Sequence, residues 1–114
     1  MTNAAKLKCG VRAAERLMSE FASRTGLATP DGAGARYLWT DAFAVCNLLA
    51  LRDLTGKDAF LDQARLLVDR VHHVLGRHRG DDGRTGWISG LSETDGEGHP
   101  TRGGLRIGKK GIER

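Results

Sequence analysis

The 114 residues leave room for one small domain with a single hydrophobic core. Hydrophobic residues make up 39% of the chain and mean hydropathy is −0.38, the balance of a soluble globular domain and not of a disordered one. The net charge of +4 is dispersed: residues 1–36 carry +3 (six Lys and Arg against three Asp and Glu), residues 37–75 carry −1 (four against five) and residues 76–114 carry +2 (eight against six).

No apolar run approaches the roughly 20 residues a membrane helix requires. Lys6, Lys8, Arg12 and Glu15 interrupt any signal-peptide layout, and Glu15 and Glu20 speak against a transit peptide. Cys9 and Cys46 have neither metal-type spacing nor the number for a disulfide framework, so the expected compartment is a reducing cytoplasm. Basic residues gather only at the C-terminus, where Arg102, Arg106, Lys109, Lys110 and Arg114 face Glu113 alone. No aromatic residue follows Trp87, so the stacking platforms of a single-strand binder are missing. The run reads as a solvated basic tail, and nucleic acid is not the expected partner.

Taken in order, the first expected helix starts after Asn3, a good N-cap, and runs to about Thr25 with Gly26 as its stop. Leu7, Val11, Ala14, Met18 and Phe21 form its apolar stripe, and Gly10 weakens it by about 1 kcal/mol relative to Ala. A loop follows from Leu27 to Arg36, with a turn at Pro30-Asp31-Gly32.

The central helix is expected from Tyr37 to about Leu54. Twelve of the fifteen residues from Tyr37 to Leu51 are apolar or aromatic, the exceptions being Thr40, Asp41 and Asn47. Leu38, Ala42, Val45 and Leu49 run down one side; Trp39, Phe43, Cys46 and Ala50 run down another. A helix apolar on every side calls for protein packed all around it.

Thr55-Gly56-Lys57-Asp58 is a tight connection that turns the chain back into an antiparallel helix from about Ala59 to Gly76. Its buried face is read as Phe60, Ala64, Leu67, Val71 and Leu75, widened by Leu61 and Val68, with Asp62, Arg65, Asp69 and His73 outside. Residues 1–79 are therefore a three-helix region whose last two helices form an αα-hairpin. Residues 80–114 hold ten of the sixteen glycines and show no period, so they form a long Gly-rich loop or tail. With so little apolar area to offset ordering, only the surroundings of Trp87 and Ile88 are expected to be held.

Chemistry-bearing motifs are sparse. Gly103 to Lys109 matches GxxxxGK, but Lys110 stands where a Walker loop needs Ser or Thr, and no strand precedes it. His72, His73, His78 and His99 lack metal-type spacing, and no nucleophile-elbow motif occurs. No metal and no cofactor are expected. Asp41 is the one carboxylate in the apolar stretch from Tyr37 to Leu51. It compensates the helix dipole, or it points into a cleft beside Tyr37 and Trp39 as a general acid, base or hydroxyl-binding group. Trp87, held between glycines, packs against the core or offers a sugar-stacking face.

The runs YLWTDAFAVCNLLAL, LTGKDAFLDQARLLVDRVHHVLGRH, GWISG and HPTRGGLRIGK together resemble an uncharacterised bacterial family related to six-hairpin glycosidases. Its broader relatives are the N-acylglucosamine 2-epimerases and unsaturated glucuronyl hydrolases, which are α/α toroids. The resemblance implies an all-α fold in which this chain is the N-terminal portion of a toroid, the central helix lies in the inner ring and the Gly-rich loop sits near the mouth. It implies a carbohydrate-active or carbohydrate-binding parent, with a saccharide or uronate as ligand. Asp41 would be the catalytic group, Tyr37, Trp39 and Trp87 would supply stacking faces, and Arg102 and Arg106 would meet a uronate carboxylate. A toroid needs many more hairpins than three helices provide, so the expectation is a chain that is inactive alone and either self-associates or lacks its C-terminal portion. A small helical protein-interaction module is the alternative reading, and a nucleic-acid-binding basic tail on a three-helix domain is a weaker one.

Overall fold

A computed structural model describes residues 2–27 and 36–108. The expected turn at Pro30–Gly32, and Lys109, Lys110 and Arg114 of the basic tail, lie outside these residues. The architecture is all-α: α1 (Asn3–Arg24), α2 (Leu38–Thr55), α3 (Asp58–Leu75) and a short α4 (Glu93–Gly98), with no strand among the described residues. No described helix is long and apolar enough to cross a membrane.

Local chemistry explains the helix ends. Thr2, and not Asn3, caps α1: its hydroxyl accepts the Ala5 N–H at 3.1 Å. α2 ends at Gly56, whose φ of 72° lets its N–H close onto the Arg52 carbonyl at 2.8 Å. α3 is the plainly amphipathic helix, and it buries Ala64, Leu67, Val71 and Leu75 as its spacing predicts, with Phe60 and Leu61 half-buried and Val68 exposed. Leu48, Leu67 and Leu75 are fully enclosed, each contributing about 1.5–3 kcal/mol of transfer free energy.

α2 departs from expectation. Its buried face is Asp41, Ala44, Leu48 and Leu51, which is neither of the two apolar stripes read from the sequence. Among the described residues α1 and α3 are the long helices that contact it, and they pack on one side. The other side stays open: Trp39 is 60% exposed and Phe43 72%. α1 also covers less than its stripe suggests. Met18 and Ala22 are buried near its C-terminal end, whereas Leu7 is exposed near the start.

The described part of the Gly-rich region is held by specific contacts. His78 N–H donates to Gly86 O and Ile88 N–H to Gly76 O, closing the loop over residues 79–85. Arg106 is not a solvated tail residue. Its N–H donates to the Leu75 carbonyl at 2.7 Å, and its guanidinium donates to the carbonyls of Val74 and Arg77, so it caps the C-terminus of α3. The next residue fastens the tail to α2, with Ile107 O accepting the Leu38 N–H at 2.8 Å.

Candidate functional site

Two constellations carry the chemistry, one against Val71 and His72 of α3 and one around His73 and Arg77 at its C-terminal end. The first surrounds Asp41. The residue lies in the first turns of α2 and is 1% exposed, against an Arg36 that is 4% exposed. Its Oδ2 accepts the backbone N–H of Tyr37, the N-cap residue, at 3.2 Å and lies 3.7 Å from Arg36 Nε. Arg36 reaches the other way as well, donating from Nη2 to Thr25 O at 2.7 Å, with its guanidinium over the Phe21 ring. Asp41 and Arg36 thus fasten the start of α2 to the end of α1.

Burial pushes the Asp41 carboxyl above its usual range, and Arg36 and the Tyr37 N–H pull it back only in part. The same desolvation lowers Arg36, opposed by Asp41 and reinforced by Arg70. Both shifts run toward neutrality, as expected of an ion pair whose contact is long and whose carboxylate has one hydrogen bond.

Asp41 also lines a depression of about 260 Å³ with Leu38, Val45, Val71, His72 and Leu105. The walls are almost wholly apolar, so only Asp41 and His72 offer polar groups to an occupant. Tyr37 and Trp39 meet edge to face nearby, ring centroids 6.0 Å apart. Trp39 then borders a second apolar depression of about 490 Å³, shared with Ala42, Phe43 and Cys46.

The second constellation is centred on Trp87, which is 2% exposed. The Arg77 guanidinium lies 4.1 Å above its ring, and His73 meets its edge at 5.6 Å. The other side is closed by Gly96 of α4, where a Cβ would fall inside the indole envelope. The indole N–H is closed off from solvent without hydrogen-bond geometry to an acceptor. Its dipole still adds a little to the Arg77 field that holds the Glu93 carboxyl low. Arg77 grips Glu93 through both terminal nitrogens, at 3.1 and 2.7 Å.

The structure therefore brings together Asp41, Tyr37 and Trp39. Trp87 is part of the other constellation, with no open face for a sugar ring in this conformation. The Arg106 guanidinium is engaged with carbonyls, and Arg102 is exposed. Arg36, His72 and the His73–Glu97 contact were not singled out from the sequence. Partners five and twenty-four residues apart leave no periodic signal. Among the described residues, no group of three or more His, Cys, Asp or Glu is placed to hold a metal ion. A scan of family models, a search of curated proteins and a search of solved structures each return no match.

Proposed function

We propose that this chain forms one wall of a layered all-α protein, docking further helical hairpins onto the outer side of α2, and that the protein it builds is carbohydrate-active or carbohydrate-binding. One observation carries the docking part. Trp39, Ala42, Phe43, Cys46, Leu49 and Ala50 are all exposed on α2, at offsets of three, four, seven, ten and eleven residues from Trp39. That spacing is the stripe another helix reads, and no charged residue interrupts it. It continues into an apolar groove of about 380 Å³ between α1 and α2, bordered by Leu7, Leu17, Ala50 and Leu54.

The carbohydrate part rests on the resemblance of the hairpin sequence to six-hairpin proteins, supported by the edge-to-face pair of a half-buried Tyr37 and an exposed Trp39 at the end of the stripe. Such a pair offers stacking faces to a sugar ring. In this reading Asp41 positions the pair by accepting the Tyr37 N–H. Proton exchange at an anomeric centre would need its carboxylate, 1% exposed at the wall of the apolar depression, to be uncovered to substrate. Cys9 and Cys46 are both free and exposed, in keeping with a reducing compartment such as the cytoplasm.

Fluorescence provides the test, because Trp39 is exposed and Trp87 is enclosed. Titration with neutral oligosaccharides and uronates should shift the Trp39 emission, and Trp39→Ala should abolish the response. Silence across the panel removes the carbohydrate part. A chain that sediments as a monomer at micromolar concentration and does not bind ANS removes the docking part.

A further inference from the structure

α4 covers Trp87, and its attachment to α3 differs at its two ends. At the first turn, Glu93 is held by the bidentate Arg77 pair. At the last turn, Glu97 Oε2 lies 2.6 Å from His73 Nε2. His73 Nδ1 is occupied too, 2.7 Å from the Asp69 carbonyl oxygen and 3.3 Å from its Oδ1. Gly96, the residue that seals the indole, sits between the two attachments, next to Glu97.

Both ring nitrogens of His73 therefore face acceptors. A neutral imidazole has one N–H to give, so in that state one contact would set a lone pair against an oxygen. The closed arrangement holds one proton more than a neutral imidazole beside an ionised Glu97 would. The charged groups facing the ring are Asp69 on α3 and Glu97 on α4. Arg77 lies 3.9 Å from the other oxygen of Glu97 and is itself engaged by Glu93. The Trp87 edge closes the remaining side.

We propose that α4 is a proton-operated lid over Trp87: His73, doubly protonated between Asp69 and Glu97, holds the last turn closed, and loss of that proton releases it. The Arg77–Glu93 pair does not titrate near neutrality and acts as the hinge, so the lid swings from its Glu97 end. Opening uncovers an indole already stacked on a guanidinium. The hydrogen bond to Glu97 is the largest influence raising His73 above the usual 6.5, the Asp69 carbonyl is next, and partial burial opposes both. The sign follows: a raised histidine favours the closed form fully below its open-state midpoint, and that preference is lost as pH rises through the closed-state midpoint. Each unit of elevation tilts the equilibrium toward closure by about tenfold.

Two measurements on the full chain test this. NMR titration of the histidine Cε1 protons should find His73 with a midpoint above 6.5, assigned by its disappearance in His73→Gln. Acrylamide quenching of Trp87, read in a Trp39→Phe chain, should rise several-fold with that same midpoint. In His73→Gln, which donates to Glu97 without titrating, quenching should not vary over the same range. The lid is overturned if His73 titrates at or below 6.5, if Trp87 stays equally protected on both sides of the transition, or if the rise persists in His73→Gln. The second outcome needs no change at His73, so it decides the matter even where that variant does not fold.

Discussion

Replacing Arg36 with Met separates the two influences acting on Asp41. Methionine keeps much of the side-chain length and removes the charge, leaving the Asp41 carboxylate in a site that is 1% exposed. It then stays ionised without its cation or takes up a proton. The second route sets a ceiling. Protonating at pH 7 a group whose ordinary value is 3.8 costs about 4 kcal/mol, at about 1.36 kcal/mol per unit. Losing one partner of a buried pair costs about 3–5 kcal/mol, so the ceiling falls within the direct penalty and protonation is accessible. Loss of the bond to Thr25 O adds about 1.5–3 kcal/mol that does not depend on pH.

The expected outcome is a large loss of stability at pH 7 that shrinks by about 3–4 kcal/mol on acidification toward pH 4. The sign follows from the raised carboxyl: its stabilising effect is fully present below the unfolded-state value and is lost as pH rises through the folded-state value. Urea unfolding at several pH values, with m held constant, measures it. Arg36→Met with Asp41→Asn should recover the pH-dependent part, since the amide still accepts the Tyr37 N–H. A loss of the same size at every pH, or a double variant no better than the single one, would refute a desolvated carboxylate as the cause.

Gly10→Ala should raise stability by about 1 kcal/mol, because the position is inside α1 and a Cβ there meets nothing within 4 Å; the urea midpoint reads the gain. If a docked helix approaches closely along the groove that Gly10 lines, the same change should weaken association in sedimentation. Gly96→Ala should lift α4 away from the indole, seen as a red-shifted and more quenchable Trp87 with the α2–α3 hairpin intact by circular dichroism.

Legibility in the sequence followed how locally each feature is determined. α3 was readable to its buried residues, because polar and apolar positions alternate at helical spacing from Asp58 to Leu75. The existence of α2 and its end at Gly56 were equally plain, but the face it buries was not. With twelve of fifteen residues apolar from Tyr37 to Leu51, no contrast remains to point the helix, and its neighbours decide. α4 escaped notice because two of its six residues are glycine. Tertiary contacts from Arg77 and His73 help hold it, and the only local sign was Ser92, whose hydroxyl accepts the Asp95 N–H at 3.1 Å. Asp41 stood out as an anomaly, yet its partner Arg36 carries no mark that separates it from a surface arginine.

The arginines that reach backbone carbonyls fasten distant segments of the chain as well as carrying charge. Arg70 donates to the oxygens of Gly26 and Leu27, as Arg106 does to those of Val74 and Arg77. Arg36 is offset by Asp41. Carbonyls are neutral, so Arg70 and Arg106 keep their charges and the formal +4 stands, with these two cations fixed in position. A polyanion would therefore meet the whole formal charge, but these two guanidinium groups have donors already committed to backbone oxygens. Added salt would screen the exposed charges and leave these part-buried clasps nearly untouched.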